Sequence, residues 1–537
     1  MNSSVAAGQR TRAGFRLLIA AAWLGTLGLS FIAGVFAYRH RDQIRSFISG
    51  AARGGQMLRT NLYNVAVQML PIPAEGRDGG IAALDDGLLF ANRRGAMWFV
   101  TADRELQPLT VRVPINVDEF EADPYNVNTT AQDMFAVKDL LVQAIPGGVR
   151  LSASYNHWYL NRSCYVLRVS SLEATSDEIR SGSDALQSKW RTVYETQPCR
   201  PLTENVDGVR RNPTLGAGGR LGAPSDNEIL VTVGGFGPEQ QTTQSIGIQS
   251  RDNSYGKTIL VDVQTGTSEI FTIGHRNPQG LALAADGTIW LTEHAARGGD
   301  ELNHLVRDRN YGFPVVSYGT EYESLVWSTN PRQGRHDGFE KPKYAWVPSV
   351  GISQLIVLEG EAFPHWESDL LVGSMNAQTL FRVHLEDGHA VFVEPILVGH
   401  RIRDIVELAD GTVAIKADDD FLLFLRPIDA SNLADLSPEA RGEVMASSCA
   451  GCHSLTSDGL DGIGPALWGI VDRDVAARAG FAYSTALESV GGSWSLDRLR
   501  TYVADPSVFA PGTQMALAAT YRPDELDDLM AYLETLR

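Results

Sequence analysis

The pattern of hydrophobic and polar positions changes twice along the chain. Between about Leu70 and Arg426, short apolar runs alternate with tight turns, and no helical period of useful length is found. Asp-Gly or Asp-Asn between two strand-like runs is the strongest short hairpin signal. It occurs in LDDGLLFAN (84–92), PSDNEILVTVGG (224–235), AADGTIWLTEH (284–294) and LADGTVAIK (408–416). Roughly 350 residues of such hairpins predict an all-β propeller over residues 70–428, with about six blades. An array of β-sandwiches is the alternative.

The pattern becomes helical after residues 427–436. Ser437, Pro438 and Glu439 have the composition of an N-cap, a first-turn proline and an acidic first turn. Near the C-terminus, residues 523–536 place four apolar side chains on one helical stripe: Leu526, Leu529, Met530 and Leu533. The sequence therefore predicts a separate all-α domain over residues 437–537.

The N-terminal segment predicts the location of the protein. Residues 17–37 (LLIAAAWLGTLGLSFIAGVFA) carry no charge. As a helix they would span about 30 Å, the thickness of a hydrocarbon core. We expect a cytoplasmic N-terminus over residues 1–16, a transmembrane helix over 17–37 and a linker helix over 38–69. A cleaved signal peptide is the alternative. Arginines flank the apolar segment on both sides, so the positive-inside rule does not set its orientation.

Composition excludes one class of partner. The chain has 44% hydrophobic and 20% charged residues, as in ordinary globular proteins. Its net charge of −18 argues against nucleic acid, because phosphate binding needs a basic face. Of its four cysteines, Cys164 and Cys199 have no neighbouring Cys or His at metal-ligand spacing. In an oxidising compartment they are expected to form a disulfide, and two unrelated buried thiols are the alternative.

The other two cysteines belong to the stretch SSCAGCHSL (447–455). Two cysteines separated by two residues and followed directly by histidine are the attachment signature of a c-type haem. Bacteria attach this haem outside the cytoplasmic membrane. We therefore expect a single-pass protein of the bacterial inner membrane, with its bulk in the periplasm.

The sequence around the haem motif resembles class I cytochrome c over residues 437–537. After the motif come GPALWG (464–469), GFAYS (480–484) and PGTQM (511–515), in the order of that family. The resemblance implies thioether bonds to one covalent haem c from Cys449 and Cys452. It also implies axial iron ligands in His453 and Met515, a Pro465 carbonyl that orients His453, and pocket positions for Tyr483 and Trp494 near the propionates.

An imidazole and a thioether together favour ferrous iron and leave no open coordination position, which suits electron transfer. From Glu439 onward we count 14 acidic residues, seven arginines and no lysine. A lysine ring for docking acidic proteins is therefore absent from this domain. The expected redox partner, in the periplasm or the membrane, has a basic or largely apolar docking face.

The propeller region resembles the quinoprotein glucose/sorbosone dehydrogenases, six-bladed propellers that use pyrroloquinoline quinone (PQQ) and calcium. The resemblance rests on four stretches: IGHRNPQGLAL (273–283), WLTEHAARGGDELN (290–303), RNYGFPVV (309–316) and RIRDIVELADG (401–411). It implies that Arg276 and Asn277 contact the quinone and that Arg401 and Arg403 hold its carboxylates, since guanidinium groups pair bidentately with carboxylates. It also implies calcium binding by the backbone carbonyls of Ala295 and Ala296.

This sequence departs from the family where the chemistry occurs. The catalytic histidine of the motif HxGGRL is replaced by Gly216 in GAGGRL (216–221). A family lysine that assists the cofactor corresponds to Asn376, and Gly-Pro of the calcium loop is Ala295-Ala296. His275 and His294 occur beside the true base in active relatives, so we expect structural roles for them. No catalytic residue is assigned.

Three functions follow from these features. The first is an anchored cytochrome that carries electrons, with a degenerate propeller that docks or senses. The second is an active PQQ- and calcium-dependent dehydrogenase that oxidises an aldose or another alcohol and reduces the fused haem. The third is a propeller with a purely structural or partner-docking role.

Overall fold

The structure, a computed structural model, describes residues 56–122, 135–182, 184–201, 216–235, 247–320, 334–428, 436–446, 449, 452–457, 461–515 and 521–537. The predicted cytoplasmic segment 1–16 and transmembrane helix 17–37 lie outside these residues. Among the helices within the described ranges, none is long and apolar enough to span a bilayer.

The described strands form six antiparallel sheets, which we number as blades in chain order. Blade 1 contains β3 (Gly80–Leu84), β4 (Gly87–Ala91), β5 (Met97–Val100) and β6 (Leu106–Pro108). Blade 2 contains β7 (Val137–Ile145), β8 (Gly148–Tyr159), β9 (Cys164–Ala174) and β10 (Arg191–Glu195), with β11 (Arg200–Pro201) beside β9. Blade 3 contains β12 (Gly218–Ser225), β13 (Glu228–Val233), β14 (Lys257–Asp262) and β15 (Ser268–Ile273).

The next two blades repeat this order, and the last one is closed differently. Blade 4 contains β16 (Pro278–Leu283), β17 (Ile289–Glu293), β18 (Asp300–Leu305) and β19 (Tyr344–Trp346). Blade 5 contains β20 (Ile352–Val357), β21 (Leu370–Ser374), β22 (Thr379–Glu386) and β23 (His389–Leu397). Blade 6 contains β24 (Ile402–Glu407), β25 (Val413–Ala417) and β26 (Phe421–Pro427), followed outward by β2 (Asn64–Pro71) and β1 (Gln56–Arg59).

The first strand of each blade faces the central axis. Each of these strands contacts the first strand of the next blade, and β24 of blade 6 contacts β3 of blade 1, so that the ring is closed. A closed ring leaves only short outer edges exposed, which is how propellers avoid edge-to-edge aggregation. The predicted six-bladed β-propeller is confirmed, and the β-sandwich alternative is excluded.

Residues 56–71 correct the predicted linker helix. They form β1 and β2 instead, and β2 pairs along its length with β26. Leu58, Val65 and Val67 are buried in the core of blade 6. The outer edge of the last blade needs a partner, and β2 supplies it. The propeller thus begins at Gln56 and not at residue 70, while residues 38–55 of the predicted linker lie outside the described residues.

The four hairpin signals have one structural meaning. Each of them marks the turn between the innermost strand of a blade and the second strand: β3–β4, β12–β13, β16–β17 and β24–β25. The second strands are buried, as in β4, whose five residues are all inaccessible. Turn residues between apolar runs therefore located four of the six blades correctly.

The predicted disulfide is present. Cys164, at the start of β9, is joined to Cys199, just before β11, with their Cα atoms 5.8 Å apart. The bond fastens β11 to the blade 2 sheet, where it pairs with β9.

Arg220 of β12 lies at the propeller axis and bonds to three other blades. Its Nη1 lies 3.1 Å from Asp139 Oδ1 of blade 2 and 2.9 Å from Asp404 Oδ1 of blade 6. Its Nε donates to the Gln279 carbonyl of blade 4 (2.9 Å), and Nη2 donates to the Arg403 carbonyl (2.6 Å). All three charged side chains are at most 5% exposed.

The two carboxylates at the axis also tie blades through the backbone. Asp404 accepts a hydrogen bond from Ile81 N of blade 1 (3.0 Å), and Asp139 accepts one from Leu221 N of blade 3 (2.8 Å). Burial raises the pKa of Asp139 to about 7, against the lowering effect of Arg220. The guanidinium is therefore the group that makes two buried acids tolerable at the axis.

The described helices fall into two groups. Short helices decorate the propeller: α1 (Val117–Ala122), α2 (Ser176–Ser181) and α3 (Asp184–Gln187), with a 3₁₀ turn at Pro364–Trp366. The C-terminal domain contains α4 (Pro438–Ala446), α5 (Thr485–Glu488), α6 (Leu496–Ala504), α7 (Pro506–Phe509) and α8 (Pro523–Thr535).

The predicted apolar stripe of the last helix is confirmed. Leu526, Leu529, Met530 and Leu533 of α8 are buried in the core of the C-terminal domain. On the side of α4, Arg441 pairs bidentately with Asp528 of α8 at 2.7 Å for both contacts. The C-terminal residues thus form the predicted all-α domain with its own core.

We expect Arg220→Met to lower the free energy of unfolding of the propeller by about 3–5 kcal/mol, because it leaves two buried carboxylates without their cation. Denaturant unfolding followed by tryptophan fluorescence measures this. Lys189→Met is the control, since the Lys189–Glu178 pair (3.2 Å) is 42% and 52% exposed and should cost about 0–1 kcal/mol. Equal effects from the two substitutions would show that the axial ion pairs do not hold the ring together.

Candidate functional site

The haem-attachment motif follows α4 directly. Cys449 N donates to the Ala446 carbonyl (2.9 Å), and His453 N donates to the Cys449 carbonyl (2.9 Å). Cys449 is partly buried and Cys452 is exposed, and neither belongs to a disulfide. A compact turn after α4 thus carries both thiols and the imidazole on one short segment.

The ring of His453 is oriented by one hydrogen bond. Its Nδ1 lies 2.7 Å from the Pro465 carbonyl oxygen, which is the contact expected from the sequence. Because a carbonyl only accepts, Nδ1 carries the proton and Nε2 keeps its lone pair for a metal. The axial role of His453 stays a prediction, and the tautomer is the one it requires.

Gly464 makes this contact sterically possible. A Cβ atom at this position would lie 2.2 Å from Cε1 and 2.5 Å from Nδ1 of His453. Gly464 N also donates to the Cys452 carbonyl at 2.8 Å. The Gly-Pro pair therefore packs against the imidazole through backbone atoms alone, a role that sequence reasoning missed.

A polar network holds the segment that carries the Pro465 carbonyl. Asp461 Oδ1 accepts hydrogen bonds from Ala466 N and from Arg478 Nε, each at 2.8 Å. Arg473 Nη2 donates to the Ala466 carbonyl at 3.0 Å. The Ala466 hydrogen bond and then the charge of Arg478 lower the pKa of Asp461, so this side chain is a carboxylate at neutral pH. The sequence did not single out Asp461, because its partners lie up to 17 residues away.

The remaining predicted haem residues share the apolar core of this domain. Trp494 is buried, and its ring lies 5.1 Å from Tyr502 and 5.8 Å from Phe509. Tyr483 and Met515 are partly buried against the same cluster. Burial raises the pKa of the Tyr483 hydroxyl, which therefore stays protonated and able to donate a hydrogen bond.

The loop before Met515 is anchored by Thr513. Its hydroxyl lies 2.9 Å from the Tyr502 hydroxyl and accepts a hydrogen bond from Met515 N at 3.4 Å. The domain therefore provides an imidazole nitrogen with a lone pair, a thioether and two thiols outside any disulfide. This donor set fits a covalent haem.

A second group of predicted residues meets at one end of the propeller channel. The Arg276 carbonyl accepts a hydrogen bond from Gly235 N (2.8 Å), and its backbone N donates to Glu293 Oε2 (2.8 Å). Arg276 Nη1 donates to the carbonyls of Ala295 (2.7 Å) and His294 (3.1 Å). Asn277 is 9% exposed and accepts a hydrogen bond from Gln279.

Two histidines lie near Arg276, and both contact groups of the fold. His275 is bracketed by Thr272 (2.7 Å) and Glu293 (3.2 Å) and is fully inaccessible. His294 Nε2 donates to the Ile352 carbonyl, and burial lowers the pKa of its imidazole. Both ring nitrogens of His275 and Nε2 of His294 therefore have partners within the protein.

The two arginines predicted to hold quinone carboxylates already hold carboxylates of this chain. Arg403 binds Asp418 through Nε (2.7 Å) and Nη2 (2.8 Å), and its Nη1 lies 3.3 Å from Asp78. Arg401 Nε donates to the same Asp418 (3.1 Å), and its Nη1 donates to Asn376 Oδ1 (3.1 Å). Sequence reasoning missed Asp78 and Asp418, which lie in different blades.

These contacts limit how the channel fits PQQ. Arg403 is 14% exposed and has both edges of its guanidinium engaged, whereas Arg401 is 31% exposed. Of the four predicted contact residues, Arg401 therefore presents the most accessible guanidinium to an anion. Retention of these arginines does not by itself supply a cofactor site.

Gly216 is the position that the sequence predicts to replace the catalytic histidine of the family. It is buried, with a positive φ of 76°. A Cβ atom added at Gly234 would lie 1.9 Å from the Gly216 carbonyl oxygen. Through Gly234 and Gly235 it neighbours the backbone of Arg276. The position is thus at the channel end with the arginines, but it provides no titratable group.

The loop predicted to bind calcium also forms hydrogen bonds within the protein. Ala295 N donates to Asp300 Oδ1 (3.1 Å), the Ala295 carbonyl accepts from Arg276, and Ala296 is 7% exposed in a small apolar cluster with Ile248 and Phe313. Within the described ranges, no group of three His, Cys, Asp or Glu side chains is placed to hold a metal ion. Calcium does not fit the loop as these contacts arrange it.

Comparisons with known proteins agree with this two-part organisation. Residues 187–424 match the family model described as Glucose / Sorbosone dehydrogenase, and residues 440–537 match the model described as Cytochrome c. The chain therefore contains a cytochrome c domain fused to a propeller like those of glucose/sorbosone dehydrogenases.

Individual relatives cover one part each. The chain is 30% identical over 218 residues to the aldose sugar dehydrogenase YliI of Escherichia coli, an alignment that covers 38% of this chain and 57% of that protein. It is 37% identical over 109 residues to a cytochrome c homolog of Rickettsia bellii, covering 20% of this chain and 63% of that one. The chain thus spans somewhat more than half of each of these relatives.

A solved structure shows the same propeller fold. The soluble aldose sugar dehydrogenase of Escherichia coli in its apo-form superimposes with a TM-score of 0.54 and 23% identity. The match covers 68% of this chain and all of that one.

We expect Gly464→Ala to displace the His453 ring and to reduce the haem content per protein several-fold, because the new Cβ would overlap the imidazole. The absorption spectrum of the purified full chain, normalised to protein, measures this. Gly480→Ala is the control: it has a φ of 85° but no atom within 4 Å of an added Cβ, so it tests backbone strain without contact. Normal haem content and spectrum in Gly464→Ala would contradict the proposed geometry.

Proposed function

We propose that this protein is a membrane-anchored periplasmic cytochrome that carries electrons through one haem c with His453 and Met515 as axial ligands. The main support is the hydrogen bond between His453 Nδ1 and the Pro465 carbonyl, which in the neutral imidazole makes Nε2 the nitrogen that can bind a metal; His453 belongs to a CxxCH motif. The match of residues 440–537 to cytochrome c supports the same conclusion.

The proposed ligand set favours transfer of electrons over reaction with oxygen. Haem, when bound, supplies a one-electron ferric/ferrous couple. Two strong axial ligands leave no vacant position on the iron, and a neutral imidazole with a thioether raises the potential. The side chains of this domain would hold, orient and partly shield the haem.

For the propeller we propose a degenerate site that no longer oxidises sugars. Oxidation of an alcohol needs a group that accepts the hydroxyl proton, and Gly216 provides none. His275 has partners at both ring nitrogens, so it does not replace that base. With this activity gone, the propeller serves as a docking or sensing module for the cytochrome.

The proposed location rests on the apolar segment 17–37 and on the compartment of haem attachment. A disulfide between Cys164 and Cys199 is consistent with an oxidising compartment. With 14 acidic residues against seven arginines after residue 438, the cytochrome domain should dock a basic or largely apolar partner.

The second candidate is an active dehydrogenase that reduces its own haem. It is favoured by the clustering of Arg276, Arg401 and Arg403 at one channel end and by the named activity of the Escherichia coli relative. A fused acceptor has a high effective concentration, which is useful only when electrons leave the propeller.

We expect that the purified full chain with added PQQ, calcium and a panel of aldoses shows no reduction of its haem, whereas a chemical reductant reduces it fully. The absorption band of the ferrous haem measures this. Reduction that requires both PQQ and a sugar would establish the dehydrogenase in place of the carrier.

Gly216→His sharpens this experiment. The position is buried and has a φ of 76°, a region that side-chain-bearing residues rarely adopt. We expect the variant to stay inactive with PQQ and aldoses, because the channel arginines also remain engaged. Sugar-dependent haem reduction in Gly216→His would show that the missing base was the only defect.

We expect Met515→Ala to lower the haem potential by on the order of 0.1 V and to change the spectrum, since axial-ligand identity sets haem potentials over a range of about 0.8 V. A redox titration measures this. Met530→Ala is the matched control, because Met530 is 6% exposed in the same core; it should cost about 2–5 kcal/mol of stability without shifting the potential. Identical potentials for Met515→Ala and the wild type would exclude Met515 as a ligand.

A further inference from the structure

The turn between β17 and β18 converges on one positive charge. The carbonyl oxygens of His294 and Ala295 both accept hydrogen bonds from Arg276 Nη1, at 3.1 and 2.7 Å. We infer that the Arg276 guanidinium is the resident cation of this turn and that it takes the place that calcium would need there. This inference goes beyond the proposed electron carriage and does not depend on it.

Arg276 is held in place from both sides of its backbone. Its N–H donates to Glu293 and its carbonyl accepts from Gly235, while only 6% of the residue is exposed. The buried acidic side chains of Glu293 and Glu301 line the same cavity as the guanidinium. The guanidinium is therefore fixed over the carbonyls by packing and by hydrogen bonds.

The space beside the guanidinium is too small for a hydrated ion. The cavity lined by Arg276, Glu293, Ala295, Glu301 and His336 has a volume of about 10 Å³. A single water needs a cavity of about 10–15 Å³. A calcium ion with part of its hydration shell would therefore require Arg276 to leave.

The acids of this region are bonded elsewhere. Asp300 Oδ1 accepts hydrogen bonds from Ala295 N (3.1 Å) and Ser349 Oγ (2.7 Å). Asp300 Oδ2 accepts from the backbone N–H groups of residues 350, 351 and 352, at 2.8–3.2 Å. Glu293 accepts hydrogen bonds from Arg276 N and from Asn303 Nδ2.

Glu301 is engaged in the same way. Asn303 Nδ2 donates to its Oε2 (3.2 Å), and His336 Nε2 lies 3.4 Å from its Oε1. Calcium takes six to eight oxygen ligands at about 2.3–2.6 Å. While Arg276 Nη1 occupies the two carbonyls, the carbonyls and the bonded acids do not supply that shell.

The consequence is a propeller whose stability does not depend on calcium. The experiment uses the full chain and compares its thermal unfolding, followed by tryptophan fluorescence, in chelator, in calcium and in magnesium at equal ionic strength. We expect transitions within about 1 °C of one another, because a ligand stabilises only in proportion to its binding. A calcium-specific rise of several degrees in the wild-type protein would overturn the inference.

The variant Arg276→Ala tests whether the turn is a cation site at all. Removing the guanidinium leaves the His294 and Ala295 carbonyls facing the buried acids, so we expect a lower melting temperature in chelator and a calcium-specific recovery of several degrees. Arg297→Ala is the control: Arg297 is in the same turn but exposed, and its variant should not respond to calcium.

Two further outcomes decide the matter. If Arg276→Ala folds and does not respond to calcium, the guanidinium does not replace a metal and the inference is wrong. If Arg276→Ala does not fold, the wild type is titrated with calcium by calorimetry. A calcium dissociation constant below about 1 mM would contradict the inference, provided that Arg297→Ala gives the same value and that magnesium does not bind in this way. In each case the haem spectrum reports separately on the cytochrome domain.

Discussion

The propeller depends on a single buried guanidinium at its axis. Arg220 of blade 3 reaches blades 2, 4 and 6, bonding to two carboxylates and two carbonyls. A buried carboxylate without a cation is strongly destabilising, so the ring has to assemble around this side chain or lose the stabilisation of its neighbours. Asp404 and Asp139 in turn accept hydrogen bonds from backbone N–H groups of blades 1 and 3, which links these blades to Arg220.

The same principle explains the channel end. Closing the ring brings arginines from separate blades close together, and each of them has to be neutralised. Asp418 and Asp78 neutralise Arg403, and backbone carbonyls receive Arg276. Residues that a relative would offer to an anionic cofactor and a divalent ion are here satisfied within the chain. A channel that supplies its own anions and its own cation has less need of either from solution.

Local patterns predicted what is local and missed what is long-range. The turn residues in LADGTVAIK, the stripe of α8 and the CxxCH spacing each lie within a few residues of one another, and each prediction is confirmed or remains consistent with the structure. Residues 64–71 form a strand on the outer edge of β26, about 350 residues away, whose inner edge pairs with β25. The sequence did not predict roles for Asp78, Asp418 and Asp461, because only the fold brings these carboxylates next to their arginine partners.

The two domains treat their polar groups in opposite ways, and this contrast bears on function. In the cytochrome domain one hydrogen bond to Pro465 commits Nδ1 of His453 and thereby leaves Nε2 unprotonated, while Gly464 keeps side-chain atoms away from the ring. In the propeller, His275 has hydrogen-bond partners at both ring nitrogens. A group that is to bind or react needs an uncommitted atom. By that criterion the haem domain, with His453 Nε2 available to a metal, is where we propose the reactive centre of this chain.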